Sequence, residues 1–209
     1  MSTAPDRRRV SLQEYLAWEE RSETKHEYYH GEIFAMAGAT IQHNRIVSNL
    51  LIRLGQLLEG KPCEVFGSDL RIRVNTVDLS TYPDISVVCG GVKADTVDKN
   101  AIVNPRVVIE VLSESTKGYD AGPKFEFYQT LESLLEYVIV EQTEAKVVHY
   151  ARQKDGTWRY RLLVGMDSSI SLDSISCEVP FKIIYRNVEF QPKAEAPVEN
   201  IPVRSGTPQ

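Results

Sequence analysis

The stretch Val107-Val108-Ile109-Glu110-Val111-Leu112 decides the fold class of this sequence. It is a continuous apolar run, rich in β-branched residues, with a single carboxylate inside it. A run without polar alternation is typical of a strand that is buried on both faces, in the middle of a sheet. Burying an ionised carboxylate costs several kcal/mol unless the group is paired or bound to a metal. We therefore expect Glu110 to face a polar cleft or a partner, unless the strand ends nearby and the side chain reaches water.

A second apolar run, Ile85 to Cys89, follows the pair Pro83-Asp84. Pro-Asp before a strand is common in turns, so a structural role for Asp84 is one open interpretation. If the two runs form neighbouring strands, Asp84 and Glu110 lie close together. Two carboxylates on adjacent strands suit Mg²⁺ or Mn²⁺, because both ions prefer oxygen ligands. Such a site predicts metal-assisted hydrolysis of a phosphodiester, for which a positive group is also needed.

Lys124 is the candidate for that positive group. It falls in the first turn of a predicted helix that has Asp120 as its N-cap and ends at about Glu132. A lysine in the first turn opposes the helix macrodipole, which is unfavourable by ~0.3–1 kcal/mol. A nearby carboxylate pair or a bound phosphate would compensate for this, and otherwise Lys124 is a solvated surface lysine.

The order of the predicted elements indicates an α/β fold with a mixed β-sheet core flanked by helices. Apolar residues recur at helical spacing over 40–59 and predict the longest helix. Two short strands are predicted around the turn at His30-Gly31, and three more strands lie within 137–164. Arg71 and Arg73 alternate with apolar residues on another predicted strand and share one face. They are candidates for contacts with a nucleic-acid backbone, or they are solvated arginines of that strand.

The length of 209 residues suits one domain, which we place at residues 11–190. We expect a disordered arm at 1–10 and a disordered, proline-containing tail at 191–209. The formal net charge of −5 does not indicate a broad basic surface for nucleic acid, but it is compatible with a local basic groove. No run of ~18 apolar residues predicts a membrane span.

Cysteine usage bears on the compartment of the protein. Cys63, Cys89 and Cys177 are far apart in the sequence, and none belongs to a C-x-x-C pair. This spacing argues against a zinc or redox motif. Three unpaired thiols are typical of a reducing environment, so we expect a cytoplasmic protein.

Three motifs taken together resemble a known family. They are Tyr82-Pro83-Asp84-Ile85-Ser86, the run from Pro105 to Ser113, and Tyr119-Asp120 followed by Lys124 and Tyr128. The sequence resembles the bacterial family named "putative restriction endonuclease", a branch of the PD-(D/E)xK phosphodiesterase superfamily. The resemblance implies a restriction-endonuclease-like fold. It also implies a divalent-metal-dependent endonuclease, a hydrolase that cleaves phosphodiester bonds of nucleic acid, with DNA as the expected substrate.

The resemblance also implies roles for individual residues. Asp84, Glu110 and Lys124 are the catalytic residues by this likeness. Asp84 and Glu110 are the Mg²⁺ or Mn²⁺ ligands, with the Val111 carbonyl as a further ligand. The superfamily lysine normally stands two positions after the second acid, where this sequence has Leu112. That pattern is broken here, and Lys124 on the following helix is the matching residue.

Four further residues are expected to support the site. Glu32 would bring another acid into the cleft, or it is an exposed hairpin residue. His43 would orient substrate or a ligand, or it lies on a helix surface. Ser113 would cap a helix or contact a phosphate, and Asp120 would cap the helix that carries Lys124.

Two other functions stay open. The broken lysine pattern and the acidic net charge also suit a catalytically inactive nuclease-fold module that binds nucleic acid or protein. In a third interpretation the protein is structural and forms a homodimer through the apolar strands of 137–164.

Overall fold

The computed structural model describes residues 9–36, 38–112 and 122–190. Four α-helices, two short 3₁₀-helices and thirteen strands are found in this part of the chain, and the α-helices and strands are numbered here. In chain order they are α1 (Leu12–Glu19), β1 (His26–Tyr29), β2 (Glu32–Ala35), α2 (Ile41–Leu58), β3 (Cys63–Gly67), β4 (Arg71–Val74), β5 (Leu79–Thr81), β6 (Ile85–Cys89), β7 (Ala101–Ile102), β8 (Val107–Leu112), α3 (Pro123–Gln129), β9 (Glu136–Glu141), β10 (Lys146–Arg152), β11 (Trp158–Val164), β12 (Ser169–Leu172), β13 (Cys177–Pro180) and α4 (Phe181–Ile184).

A six-stranded mixed sheet forms the centre of the fold, in the order β11-β10-β9-β8-β6-β3. Strand β8 pairs parallel with β9 and antiparallel with β6. All six residues of β8 are buried, as predicted for a strand inside a sheet. A second sheet has the order β2-β1-β5-β4-β7, and β12 pairs with β13. The α/β class with a mixed sheet and flanking helices is therefore confirmed.

The two faces of the central sheet are covered by different helices. On one face, Ile46 and Leu50 of α2 belong to the same buried cluster as Ile109 of β8. On the other face, Phe125 and Tyr128 of α3 are clustered with residues that include Val108 of β8. Successive residues of a strand point to opposite faces, so Glu110 shares the α3 face. This alternation decides which helix can reach the carboxylate.

The hairpin β1–β2 turns at His30 and Gly31, as the sequence predicts. Both residues have positive φ, +47° for His30 and +85° for Gly31. Positive φ at both central residues defines a type I′ turn, whose twist matches that of antiparallel strands. The turn fixes the register, in which Tyr29 pairs with Glu32 and Glu27 pairs with Phe34.

Local signals are followed less closely in three places. The helix α3 begins at Pro123, with Gly122 as its N-cap, and ends at Gln129. Asp120, the expected cap, lies outside the described residues. Strand β5 and the two-residue strand β7 were not predicted, because so short a segment shows no periodicity and is held by pairing with β4.

Arg71 and Arg73 are not backbone-binding residues of a surface strand. Both are buried on β4. Arg71 makes two hydrogen bonds to Asp98, at 2.7 and 2.8 Å, and Arg73 is bonded to Asp78. The hypothesis of nucleic-acid contacts by these arginines is therefore wrong, because each is already paired inside the protein. The guanidinium of Arg71 also donates to the hydroxyl of Tyr82 at 2.7 Å and so supports the segment that leads to Asp84.

The expectation of free thiols is also wrong for two of the three cysteines. Cys63 and Cys89 are direct partners across β3 and β6 and form a disulfide bond, with 4.0 Å between their Cα atoms. Cys177 is free and buried. The sequence hides this pair because 26 positions separate the two residues, and only the strand register brings them together. Because two of the cysteines form a disulfide, free thiols no longer support a cytoplasmic location, which stays a prediction.

We expect reduction of this disulfide to lower the free energy of unfolding by about 3 kcal/mol. The bond closes a loop of 26 positions, and its loss restores chain entropy to the unfolded state. Urea unfolding with and without dithiothreitol measures the difference. The Cys63→Ser variant is the control, since its stability should not respond to dithiothreitol. Identical unfolding curves of the parent chain in both buffers would contradict the expectation.

The remaining predictions on organisation concern the chain ends and membranes. The expected tail at 191–209 and residues 1–8 of the expected arm lie outside the described residues, so both stay predictions. Within that arm, Val10 donates a backbone hydrogen bond to Gly31 at 2.9 Å. Among the described helices, none combines the length and the apolar character needed to cross a membrane.

Candidate active site

Neighbouring strands bring Asp84 and Glu110 together. Strands β6 and β8 are antiparallel, with Ile85 opposite Ile109. The next position of this register places Asp84 opposite Glu110. Each carboxylate accepts a hydrogen bond from a backbone amide of the segment that carries the other acid. The amide of Asp84 donates to Glu110 Oε2 at 3.3 Å, and the amide of Val111 donates to Asp84 Oδ2 at 2.7 Å. These reciprocal bonds hold both carboxylates at the same point of the sheet.

Lys124 reaches this point from α3. Its Nζ lies 3.0 Å from Glu110 Oε1 and 3.2 Å from Glu27 Oε1. The lysine is only 4% exposed, and Glu110 only 3%. A carboxylate pair beside Lys124 was expected to compensate for its position against the helix dipole. Glu110 is one member of the pair that the structure shows. The other member is Glu27 rather than Asp84.

Glu27 is the site residue that the sequence analysis missed. It lies on β1 and is 9% exposed, and its carboxylate also accepts a hydrogen bond from the Thr81 hydroxyl. An acid between His26 and Tyr28 in so short a strand gives little sequence signal, because a solvated hairpin would look the same. We refer to Glu27, Asp84, Glu110 and Lys124 as the acid cluster.

The structure does not bring Glu32 into this cluster. Glu32 is exposed and pairs with Tyr29 beside the hairpin turn, whereas Glu27 lies two residues further from the turn. Its side chain is not among those that line the cleft. Glu32 is therefore an exposed hairpin residue, the alternative that the sequence left open. Glu27 occupies the place in the cleft that was expected for Glu32.

His43 contacts the cluster from the first turn of α2. Its Nε2 is 3.2 Å from Asp84 Oδ2, and its side chain is 12% exposed. The other ring nitrogen, Nδ1, is buried and has no hydrogen-bond partner among the described residues. The contact with Asp84 runs through Nε2 and orients the ring toward this carboxylate.

Tyr128 completes the surroundings of Glu110. Its hydroxyl donates to Glu110 Oε1 at 3.4 Å from one helical turn beyond Lys124. Burial, and after it the negative charge of Glu110, raises the pKa of Tyr128 well above its usual value. The phenol therefore stays protonated and remains a donor to the carboxylate at neutral pH.

The cluster lies in a cleft of about 770 Å³. Helix α2 supplies His43, α3 supplies Lys124, and the hairpin β1–β2 forms another wall. Among the described residues the lining consists of Thr24, Lys25, Glu27, Tyr29, Phe34, Ala35, Met36, Gly38, Ala39, His43, Asn44, Val47, Ser68, Tyr82, Asp84, Glu110, Val111, Pro123, Lys124 and Phe127.

The oxygen donors of the acid cluster decide whether a divalent ion fits there. No group of three or more His, Cys, Asp and Glu side chains among the described residues forms a ready-made metal site. Hard cations, however, also accept backbone carbonyls, and Val111 lines the cleft beside both acids. Three carboxylates and one ammonium leave the acid cluster with two negative charges. Its oxygen donors and its charge fit Mg²⁺ or Mn²⁺.

Two of the expected supporting residues cannot be located in the site. Ser113 and Asp120 both lie outside the described residues, and their roles stay predictions. The other sequence-predicted residues come together as described, apart from Glu32.

The fold found here is that of a restriction-endonuclease-like α/β domain. The chain belongs to the Uma2 family, whose model is described as "Putative restriction endonuclease" and matches residues 12–180. This match confirms the resemblance that the sequence motifs indicate.

Similar proteins are known from cyanobacteria. The "Uncharacterized protein slr1290" of Synechocystis sp. is 36% identical over 184 residues, which cover 87% of this chain and 94% of that protein. The "Uncharacterized protein sll1609" of the same organism is 36% identical over 161 residues, 77% of this chain and 91% of that protein. A crystal structure of a "putative nuclease belonging to DUF820" from Anabaena variabilis superimposes with a TM-score of 0.68. The superposition covers 84% of this chain and 97% of the Anabaena chain, and the sequence identity is 20%.

Proposed function

We propose that this protein is a divalent-metal-dependent nuclease that hydrolyses phosphodiester bonds of nucleic acid, with DNA as the expected substrate. The observation that carries the proposal is the meeting of Asp84, Glu110 and Lys124 in one cleft. They come from two neighbouring strands and a helix, and Lys124 Nζ is 3.0 Å from Glu110. The family description and the nuclease-fold neighbour support the same reaction class.

Asp84 and Glu110, with the Val111 carbonyl, would hold Mg²⁺ or Mn²⁺. When bound, such an ion supplies Lewis-acid polarisation of a phosphate oxygen. The chain itself orients the ligands. The amide of Val111 and the ring of His43 both contact Asp84 Oδ2 and fix the plane of this carboxylate. Hydrogen bonds to a ligating carboxylate commonly raise metal affinity or activity 10–100-fold.

Lys124 supplies the positive charge of the reaction. Hydrolysis adds water to phosphorus and breaks a P–O bond, and negative charge builds on the phosphate oxygens. A preorganised ammonium in a site shielded from water stabilises that charge far better than a solvated one. Glu27 and Glu110 hold Lys124 from two sides, so its amine keeps one position in the cleft. Charge stabilisation and the positioning of the attacking water are therefore its expected roles.

Metal-dependent cleavage by the purified chain tests the proposal. Plasmid DNA, single-stranded DNA and RNA are incubated with Mg²⁺, with Mn²⁺ and with EDTA, beside a mock preparation from cells that lack the gene. We expect cleavage with either ion, none with EDTA, and recovery when excess ion is added back. Binding of nucleic acid or protein without cleavage under any divalent ion would instead identify the inactive binding module.

Self-association stays a prediction. The edge strand β11 lies within the expected interface, and its side chains Tyr160, Leu162 and Val164 are 55%, 48% and 60% exposed. These three residues alternate along the strand, so they share one face. We infer that this face joins two copies, and sedimentation velocity over a range of concentrations decides between monomer and dimer.

A further inference from the structure

Phe34 stands beside the acid cluster without taking part in the core. It lies on β2, at the edge of the five-stranded sheet, and is 47% exposed. It pairs directly with Glu27 across the hairpin, so both side chains project from the same face. Glu27 in turn contacts Lys124 at 3.2 Å. The register therefore sets an exposed aromatic ring next to the charged centre of the cleft.

The wall around Phe34 is largely apolar and aromatic. Tyr29 and Phe127 line the same cleft, with ring centroids 4.8 Å apart, and Met36 and Val47 extend the surface. Leaving an aromatic ring exposed to water does not stabilise a free monomer. A flat partner that stacks on the ring would remove this apolar surface from water.

The described lining of the cleft has few permanent cations. Lys25 and Lys124 are its two lysines, and it contains no arginine. Lys25 is paired with Asp69, and Lys124 with Glu27 and Glu110. Affinity for duplex DNA comes mainly from many Lys and Arg contacts to phosphates. Affinity for unpaired nucleotides combines a basic groove with stacking of bases on aromatic rings, and the stacking contribution needs no further cation because every base presents a π-face.

We propose that the cleft binds unpaired nucleotides, with a base stacked on Phe34 and its phosphate at the acid cluster. This inference rests on the proposed nuclease function and names its substrate class as single-stranded nucleic acid. A paired base offers only its edge to a protein, so a duplex cannot use Phe34 without being opened. Each strand that enters the cleft places its backbone beside Lys124 and its bases against the apolar wall.

Fluorescence anisotropy tests the proposal on the full chain with Ca²⁺, which takes oxygen ligands and offsets the negative charge of the acid cluster. A gel of the recovered probe verifies that it stays intact during the measurement. The probes are a short fluorescein-labelled oligothymidylate, the same strand annealed to its complement, and an oligouridylate. We expect the single strands to bind at least tenfold more tightly than the duplex. Phe34→Ala should weaken single-strand binding about tenfold, the scale found for loss of one stacked base. Phe34→Trp should retain binding because it keeps a ring.

Ile52→Ala is the matched control, since Ile52 is also exposed, at 55%, but lies on α2 outside the cleft lining. The DNA and RNA probes separate the two sources of unpaired nucleotides. Equal or tighter binding of the duplex, no binding of any probe, or equal effects of Phe34→Ala and Ile52→Ala would overturn the inference. Metal-dependent cleavage of duplex DNA by Phe34→Ala at the parent rate would overturn it while leaving the nuclease proposal standing. Phe34-dependent binding of single strands without cleavage under any divalent ion would support this binding mode and overturn the nuclease proposal.

Discussion

Asp84→Asn is expected to lower metal-dependent cleavage by at least about 10²–10³-fold while leaving the fold intact. The change removes one negative charge from the acid cluster and keeps the shape of the side chain. The amide oxygen can take the position of Oδ2, which accepts from the Val111 amide at 2.7 Å and contacts His43 at 3.2 Å. The amide nitrogen then takes the position of Oδ1, which accepts no hydrogen bond from a described residue. Initial rates on a labelled substrate measure the loss, and circular dichroism verifies the fold.

Glu32→Gln is the control for the loss of a nearby charge. Glu32 is exposed on the same hairpin as Glu27 but does not line the cleft, so its rate should stay near that of the parent chain. An Asp84→Asn variant that is folded and as active as the parent would remove Asp84 from the reaction. The assigned metal ligands would then have to be abandoned.

Lys124→Met is expected to lower the free energy of unfolding by about 3–5 kcal/mol. It leaves Glu27 and Glu110 facing each other in a buried site, and removal of one partner from a buried ion pair has this scale of effect. Urea unfolding at neutral pH measures the change. Adding Glu27→Gln should recover part of the loss, because it removes one of the two facing charges.

Lys182→Met provides the contrast. Lys182 pairs with Asp167 at 2.7 Å, but the two side chains are 67% and 94% exposed. Exposed pairs contribute about 0–1 kcal/mol because water screens them. If Lys124→Met were no more destabilising than Lys182→Met, Lys124 would not be held as a buried charge. Its role as a fixed ammonium in the cleft would then have no basis.

Much of the fold follows from local patterns in the sequence. The unbroken apolar run at Val107–Leu112 identified a strand buried on both faces, and helical spacing identified α2 to within a residue at each end. Ser11 caps α1 and forms a capping box with Glu14, a local motif of this kind. Strand β5 and the Cys63–Cys89 bond escaped, because both depend on pairing between distant segments. Local periodicity contains no information on such pairings.

The candidate site was predictable where charge contradicted its surroundings. Glu110 stood out inside an apolar run, and Lys124 stood out against the helix dipole. Glu27 did not stand out, because a glutamate in a four-residue strand can equally well be exposed to water, at no cost in desolvation. Arg71 and Arg73 failed for the opposite reason. Their alternation looked like a surface strand, while Asp98 and Asp78, far from any recognisable motif, neutralise them inside the protein.

The hairpin register offers a way to compare members of this family by one position. Glu27 is the third residue before the His30-Gly31 turn and Phe34 the third after it, so the pair can be counted from any two-residue turn of this type. The proposed function and the proposed substrate thereby assign Glu27 to the chemistry and Phe34 to recognition, on two paired strands. A relative could exchange the ring for a basic or small side chain and change its preferred nucleic acid while its lysine stays anchored. The residue three positions after the turn thus becomes a simple marker for sorting relatives by substrate.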